Sequence, residues 1–89
     1  MNAIVTVVGS DKVGIIAKVS AYMADNGINI INITHTILSG NLVMMMMVNL
    51  DNAKVVVEDL RENMNKLAVD MGVEINVMNE KVFSAMHRV

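Results

Sequence analysis

A chain of 89 residues has room for one domain, and at this size a lone monomer is only marginally stable. The side chains are 54% hydrophobic but only 2% aromatic, and ten are methionines, which predicts an aliphatic core and apolar surface for burial between copies. The formal charge of −2 gives no attraction to nucleic acid or anionic lipid, and the absence of cysteine excludes a disulfide framework and a thiolate metal site.

Two features bear on where the protein works. The longest apolar run, residues 42–48, is far too short to span a bilayer. The N-terminus starts directly with strand-like sequence rather than with a charged segment and an apolar signal core. We therefore expect a cytoplasmic protein that does not contact a membrane.

The first element is a strand that leads through a tight turn into a helix. Ala3–Val8 is short, rich in β-branched residues and free of proline and charge, which is typical of a buried strand. Ser10 or Asp11 is a candidate N-cap, and Gly14 falls in the first helical turn, where a missing Cβ lets another molecule approach the backbone. The first amides of a helix carry partial positive charge, so this turn has the geometry to bind a carboxylate or a phosphate. The apolar positions at helical spacing are Ile15, Ile16, Val19, Tyr22 and Met23.

A pair of strands follows this helix. Gly27 ends the helix as a left-handed cap after about Asn26. Residues 28–38 form a long predicted strand, and Ser39-Gly40-Asn41 has the composition of a hairpin turn. Residues 42–50 return as a second strand, and since both of its faces are apolar, neither is expected to lie in water.

The second half of the chain repeats the helix and the strand. Asp51-Asn52 offers a cap for a helix over residues 53–71, which Gly72 ends. Residues 73–78 alternate as a half-buried last strand, and residues 79–89 are predicted as a helical tail. The apolar stripe of the helix is Val57, Leu60, Met64, Leu67 and Met71, its predicted ion pair is Glu62–Lys66, and the tail residues expected to cover a sheet face are Val82, Phe83 and Met86.

This order of elements predicts an α+β fold. It is a ferredoxin-like βαββαβ sandwich, with a four-stranded antiparallel sheet and two helices on one face. The domain is expected to span residues 1–78, and the C-terminal helical tail residues 79–89. The 28–38 strand then lies at a sheet edge, and a long, isoleucine-rich edge without proline or lysine favours pairing with another chain. We therefore expect a homodimer.

The sequence resembles the ACT domain family over essentially its whole length. The resemblance rests on the first strand with Gly9–Ala17 after it, on Asn26-Gly27-Ile28-Asn29-Ile30, and on the hairpin that follows. The chain is similar to small stand-alone members from bacteria and archaea, and to the N-terminal ACT modules of the glycine cleavage repressor and of formyltetrahydrofolate deformylase. It departs from the family at Lys12-Val13, where Arg-Pro is frequent.

The resemblance implies a regulatory module that binds an amino acid or a related small carboxylate. In such modules the edge strands of two copies often pair, and the ligand lies between the strand-to-helix turn of one copy and the edge strand of the other. The turn residues so implied are Ser10, Asp11, Lys12, Val13, Gly14 and Ile15. The opposing candidates are Asn29, Asn32 and His35, although strand alternation places Asn29 and Asn32 on opposite faces unless a bulge intervenes.

Each candidate also has a purely structural interpretation. Asp11 can act as a helix cap without contacting a ligand, and Gly14 can serve to allow close packing against a strand. A histidine among isoleucines, such as His35, more often has a structural role. His35 and His87 are far apart in the chain, and the Met44–Met47 run alternates between two faces, so neither makes a metal site. We expect no metal and no cofactor.

An enzyme is the least favoured class. The chain has no Ser-His-Asp set, no P-loop and no carboxylate pair with an evident pocket. The turn carries Lys12 but no arginine, unlike an acylphosphatase, and the strands carry no aromatic residue on which RNA bases could stack. The sequence therefore favours a homodimeric module that binds a small molecule at its dimer interface. The alternative is a ligand-free interaction module that docks a larger regulatory or metabolic protein.

Overall fold

The computed structural model describes residues 1–86, and these form four strands and three helices. The elements are β1 (Asn2–Gly9), α1 (Lys12–Asp25), β2 (Asn29–Leu38), β3 (Asn41–Asn49), α2 (Val57–Met71), β4 (Glu74–Asn79) and α3 (Glu80–Met86). Residues 87–89 and the Met86 side chain, which belong to the predicted tail, lie outside what is described. None of the helices in residues 1–86 combines the length and the apolar character needed to cross a membrane.

The strands form one antiparallel sheet in the order β2-β3-β1-β4. β1 lies between β3 and β4, so that Val5 is opposite both Met46 and Val77. We call the face that carries Val5, on which α1 and α2 pack, the inner face, and the opposite one the outer face. At one end of the outer face the Asn49 amide donates to the Asn2 side-chain oxygen at 2.8 Å. The ferredoxin-like fold is confirmed, and β2 lies at an edge of the sheet as predicted.

The hydrophobic core lies between the inner face and the two long helices. In the methionine run of β3, Met44 and Met46 are 2% and 1% exposed, whereas the outer-face Met45 is 39% exposed. Burying one such side chain contributes about 1.5–3 kcal/mol. The core is therefore aliphatic and methionine-filled, as the composition predicts. Its other fully buried side chains include Val5, Val7, Ile15, Val19, Met23, Leu42, Val48, Leu60 and Met64.

Ser39 and Gly40 form the two-residue turn between β2 and β3. The flanking Leu38 and Asn41 are paired, and the φ angles of Ser39 and Gly40 are 52° and 81°. Positive φ at both central residues is characteristic of a type I′ turn, whose twist matches that of the strands it joins. The predicted hairpin is confirmed, with Asn41 already the first residue of β3.

The second long helix starts later than predicted. α2 begins at Val57, so the expected start at residue 53 with an Asp51-Asn52 cap is wrong. The Asp51 carboxylate instead bonds the α-amine at the start of the chain, and the amide of Lys54 donates to the carbonyl of Asn26 at 2.8 Å. These contacts hold residues 51–56 as a loop. The predicted apolar stripe and the end of the helix at Gly72 are confirmed.

The short helix α3 covers only one side of the outer face. It contacts β1 and β4. Phe83 lies beside Ile4, and Ile4 is only 3% exposed although it points to the outer face. Val82 was expected to share this contact, but it is 51% exposed. The described residues leave the β2–β3 side uncovered, and we call it the open half. Its side chains are Asn32, Thr34, Thr36, Val43, Met45 and Met47.

Candidate ligand-binding site

Asp11 caps the first helix at the strand-to-helix turn. Its carboxylate Oδ1 accepts a hydrogen bond from the Gly14 amide at 3.1 Å, and its carbonyl accepts one from the Ile15 amide at 2.9 Å. A bond of the first kind satisfies one of the donors that every helix start leaves unpaired, and it typically contributes about 1 kcal/mol. Of the two candidate caps, Ser10 and Asp11, the structure selects Asp11.

Gly14 makes room for this cap. A Cβ at this position would lie 2.4 Å from Asp11 Oδ2 and 2.9 Å from Asp11 Cγ. The space left by the missing side chain is therefore taken by the protein's own carboxylate. The atoms nearest to a Cβ at Gly14 belong to Asp11 rather than to a strand, and the Gly14 amide is already used by the cap.

The donors open to a ligand are those at the very start of the helix. Within residues 1–86, no hydrogen bond is made by the amides of Lys12 and Val13, and both side chains are exposed, Val13 by 78%. Ser10 is exposed as well, whereas the Ile15 side chain is fully buried in the core. A carboxylate at this turn would therefore contact the first two amides of α1, beside the Lys12 ammonium.

Gly9 is a residue that the sequence interpretation missed. A Cβ on Gly9 would lie 2.3 Å from Val73 Cγ1, 2.9 Å from Val73 Cβ and 2.9 Å from Ile15 Cδ1. Gly9 thus allows the end of β1, the first turn of α1 and the segment before β4 to approach one another closely. A glycine two residues before the cap residue was the available signal, but it does not reveal which distant residue comes close.

A bulge in β2 decides which faces its polar residues occupy. Asn29 pairs with Asn49 and Asn32 pairs with Met47, with the irregularity between Ile30 and Asn32. The extra residue turns both asparagines to the outer face, instead of the opposite faces that simple alternation predicts. His35 lies opposite Met44 and therefore belongs to the inner side. The three opposing candidates thus occupy two faces.

Within one chain the turn and Asn29 lie at opposite ends of the sheet. Gly9, which leads into the turn, pairs with Leu42, and Leu42 also pairs with Ile37 near the end of β2. Asn29 belongs to the other end, since it shares the partner Asn49 with the start of β1. A single copy therefore does not bring the two parts of the predicted site together.

β2 presents an uncharged edge that no described residue covers. Within residues 1–86, it is hydrogen-bonded to a neighbouring strand on one side only. Residues 31–38 are all exposed, and none of them is charged. Large apolar side chains are among them, with 42% exposure at Ile33 and 60% at Leu38. Such an edge lacks the lysines, prolines and short length by which edge strands usually avoid pairing.

Charged groups are sparse around this site. Within residues 1–86, no group of three or more His, Cys, Asp or Glu side chains is placed to hold a metal ion. The clearest electrostatic perturbation is elsewhere, at Asp51, where the α-amine of Met1 and then the Asn49 amide hold the carboxyl pKa below its usual range. Besides the capping carboxylate of Asp11, the turn offers backbone dipoles and one lysine, which suit an anion better than a metal.

The fold and the turn define a ferredoxin-like module with a candidate anion site at its first helix. A sequence model of the ACT domain matches residues 2–78. The UPF0237 protein of Clostridium perfringens is 39% identical over 89 residues, covering 100% of both chains, and that of Methanopyrus kandleri is 42% identical over 88 residues, covering 99% of this chain and 98% of the relative. The chain therefore belongs to the ACT domain family, and within it to the UPF0237 proteins.

Solved structures give the same fold. An ACT domain protein from Streptococcus pneumoniae is similar, with a TM-score of 0.80, 38% identity and 93% coverage of both chains. A formyltetrahydrofolate deformylase from Pseudomonas syringae pv. tomato has a TM-score of 0.78 at 23% identity, over 86% of this chain and 26% of that one. ACT domains are regulatory ligand-binding modules that commonly dimerise, and the family is one of small regulatory domains rather than of enzymes.

Proposed function

We propose that this protein is a regulatory module that binds an amino acid or a related small carboxylate between two copies of itself. The observation that carries the proposal is the uncovered edge of β2, which is long, uncharged and apolar. Pairing this edge with that of a second copy gives every exposed ladder group of β2 a partner. It also buries Ile33 against a second copy instead of water.

Such pairing would assemble the two parts of the predicted site. Antiparallel pairing of β2 with its copy, centred between Ile33 and Thr34, places residue 29 of one copy opposite residue 38 of the other. Leu38 lies at the end of the sheet where β1 enters the turn. The Asn29 end of one copy would therefore approach the turn of the other, which supports a site shared between copies.

In the proposed mechanism the turn holds the ligand carboxylate. The amides of Lys12 and Val13 donate to it, and the Lys12 ammonium adds charge attraction at the positive end of the helix. Polar groups of the second copy hold the rest of the ligand: Asn29 lies at the end of β2 that approaches the turn, and His35 lies on the inner side, where α1 packs. Binding regulates the protein only so far as the ligand binds one dimer geometry more tightly than another.

A thermal-shift screen of the standard amino acids and common carboxylate metabolites tests this proposal. A ligand at a hundred times its dissociation constant stabilises the folded state by about 2.7 kcal/mol, which is readily measured. The shift should shrink in Lys12→Ala and persist in Lys18→Ala, which removes an exposed lysine from the same helix away from the turn. In Ile33→Lys, which places a charge on the edge strand, both the dimer and the shift should be lost.

A flat screen with a folded, dimeric protein would contradict ligand binding. The interaction module that docks a larger protein would then be preferred. A shift that is equal in Lys12→Ala and Lys18→Ala would place the ligand away from the turn. A shift that survives in monomeric Ile33→Lys would remove the second copy from the site.

A further inference from the structure

We propose that Met45 and Met47 form a peroxide-sensitive modification site, at which both thioethers are oxidised to sulfoxides while the domain stays folded. Side chains of β2 donate hydrogen bonds to the new oxygen atoms. The site lies on the open half of the outer face. It requires neither a ligand at the strand-to-helix turn nor pairing of β2 with a second copy, so the proposal goes beyond the proposed function and does not depend on it.

The four consecutive methionines of β3 differ sharply in their exposure. Met45 is 39% exposed and Met47 is partly buried, both on the outer face. Met44 and Met46 are 2% and 1% exposed on the inner face. A peroxide oxidises a thioether only where it can reach the sulfur, so the inner pair reacts only when the fold opens. Strand alternation thus gives identical side chains in one strand two very different reactivities.

The reaction adds one oxygen atom to each sulfur and needs only a peroxide as the oxidant. A sulfur lone pair attacks one oxygen of hydrogen peroxide, the S–O bond forms as the O–O bond breaks, and the second oxygen leaves as water after a proton has moved to it. Sulfur loses two electrons and the peroxide gains them. The product is an uncharged, polar sulfoxide whose oxygen accepts hydrogen bonds. A sulfoxide therefore needs a donor where a thioether does not.

Hydrogen-bond donors lie opposite both methionines in the pairing of β2 with β3. Thr34 is opposite Met45. Asn32 is opposite Met47. The Cβ atoms of opposite residues lie about 4.5–5.5 Å apart, a distance that a flexible methionine side chain can bridge. Within residues 1–86, the Thr34 hydroxyl and the Asn32 side-chain amide make no hydrogen bond. Both donors are therefore available to a sulfoxide oxygen.

The space beside the two thioethers admits the added atoms. A cavity of about 110 Å³ is lined by Met45 and Met47, by their two donors on β2, and by Ile4 and Phe83 on the other side. Since ~10–15 Å³ is enough to hold a water molecule, one oxygen atom on each sulfur fits there. The hydrocarbon side chains of Ile4 and Phe83 offer no donor. The sulfoxide oxygens are therefore expected to turn towards β2.

Oxidation changes the character of the open half without changing its charge. In the reduced protein the centre of this surface consists of two thioethers, which are apolar and adapt to apolar groups. In the oxidised protein the same two positions carry strong hydrogen-bond acceptors. A surface that favours apolar contacts thus becomes one that favours polar contacts.

Mass spectrometry after treatment of the folded chain with dilute hydrogen peroxide tests the site. Trypsin releases residues 19–54 as one peptide, because there is no lysine or arginine between Lys18 and Lys54. Fragmentation of this peptide assigns each added oxygen to a residue. Met1, which is 44% exposed, is released in a different peptide and gives the rate of an accessible methionine in the same molecule.

Met45 should react at a rate comparable with that of Met1, and Met47 should follow. The inner pair, Met44 and Met46, should react more than about tenfold more slowly. A species oxidised in β3 only at the outer pair should therefore accumulate. Equal rates at all four methionines would overturn the proposal. Direct passage to a fully oxidised strand would also overturn it, since the first oxidation would then have unfolded the protein. An outer pair that stays reduced while Met1 is oxidised would do the same.

The role of the donors is tested with two matched variants, Thr34→Val and Thr36→Val. Both replace an exposed hydroxyl on the outer face of β2 with a methyl group, but Thr36 lies opposite Val43, which peroxide does not oxidise. The urea midpoint of each is measured before and after oxidation of the outer pair. It should fall further on oxidation in Thr34→Val than in the parent, because the sulfoxide loses its donor, whereas Thr36→Val should follow the parent. Asn32→Ala should behave as Thr34→Val does. Equal losses in the two threonine variants would overturn the assignment of the donors.

Discussion

The contact between Asp11 and Gly14 predicts a specific pattern of stabilities. Asp11→Ala removes the cap bond to the Gly14 amide and should destabilise the protein by about 1 kcal/mol. Gly14→Ala also removes it, because the new Cβ would lie 2.4 Å from Asp11 Oδ2 and the carboxylate has to move away. In this second variant, however, the helix gains the better propensity of alanine, which is worth about 0.8–1 kcal/mol. Its net change should therefore be close to zero.

The double variant separates the two effects. Once Asp11 is alanine there is no cap left to lose, so Gly14→Ala should then stabilise the protein by about 1 kcal/mol through helix propensity alone. The coupling between the two positions should thus be about 1 kcal/mol, in the range found for residues in direct contact. Urea unfolding followed by circular dichroism measures these differences, with every variant at the same protein concentration because association adds to stability.

Additive effects of Asp11→Ala and Gly14→Ala on the free energy of unfolding would refute this reasoning. If Gly14→Ala changes the free energy of unfolding by the same amount with and without Asp11, the new methyl group at position 14 does not displace the cap. A large loss of stability from Gly14→Ala in both backgrounds would mean that the methyl group meets backbone or core rather than a side chain that can turn away. Either result would also remove the argument that the Gly14 amide is occupied by the cap.

Three further results are expected. Gly9→Ala should destabilise the protein by about 1–3 kcal/mol in urea unfolding, since its Cβ would overlap Val73, and a stability within about 0.5 kcal/mol of the parent would contradict that close approach. Met64→Ala should cost about 2–5 kcal/mol in the same assay because the side chain is fully buried. The pKa of Asp51 is lowered by the Met1 amine. The ionised Asp51 carboxylate should therefore stabilise the folded protein above about pH 4, and this stabilisation should fade as the pH falls through the lowered pKa. The stability difference between the parent and Asp51→Asn should accordingly shrink at acid pH, and a difference that grows there would reverse the assigned sign.

Local patterns were sufficient to predict the fold. Alternating or continuous β-branched residues marked the strands, and glycines after periodic apolar runs marked the ends of both long helices. The error in α2 also has a local cause. Asp51-Asn52 is a good capping sequence, but Asp51 bonds a charged amine that is 50 residues away in the chain, and no local rule anticipates such a contact.

The candidate site was less predictable because two of its features depend on long-range structure. The capping role of Asp11 could be read from its residue type and its place before a helix. The bulge at Ile31, in contrast, depends on how β2 pairs with β3, and it alone decides that Asn29 and Asn32 share a face. The packing of Gly9 against Val73 likewise joins segments at opposite ends of the domain.

The four consecutive methionines have a consequence for how β3 finds its place in the sheet. A slip by one residue would exchange the inward set for its neighbours, and methionine would simply replace methionine at two of the core positions. The change at the end of the strand is different, because Val48 would leave the core and Asn49 would enter it without its bond to Asn2. The register of β3 is therefore fixed at its two ends, by the Asn49–Asn2 hydrogen bond at one end and by the two-residue turn at the other. The methionines at its centre fit both registers almost equally well.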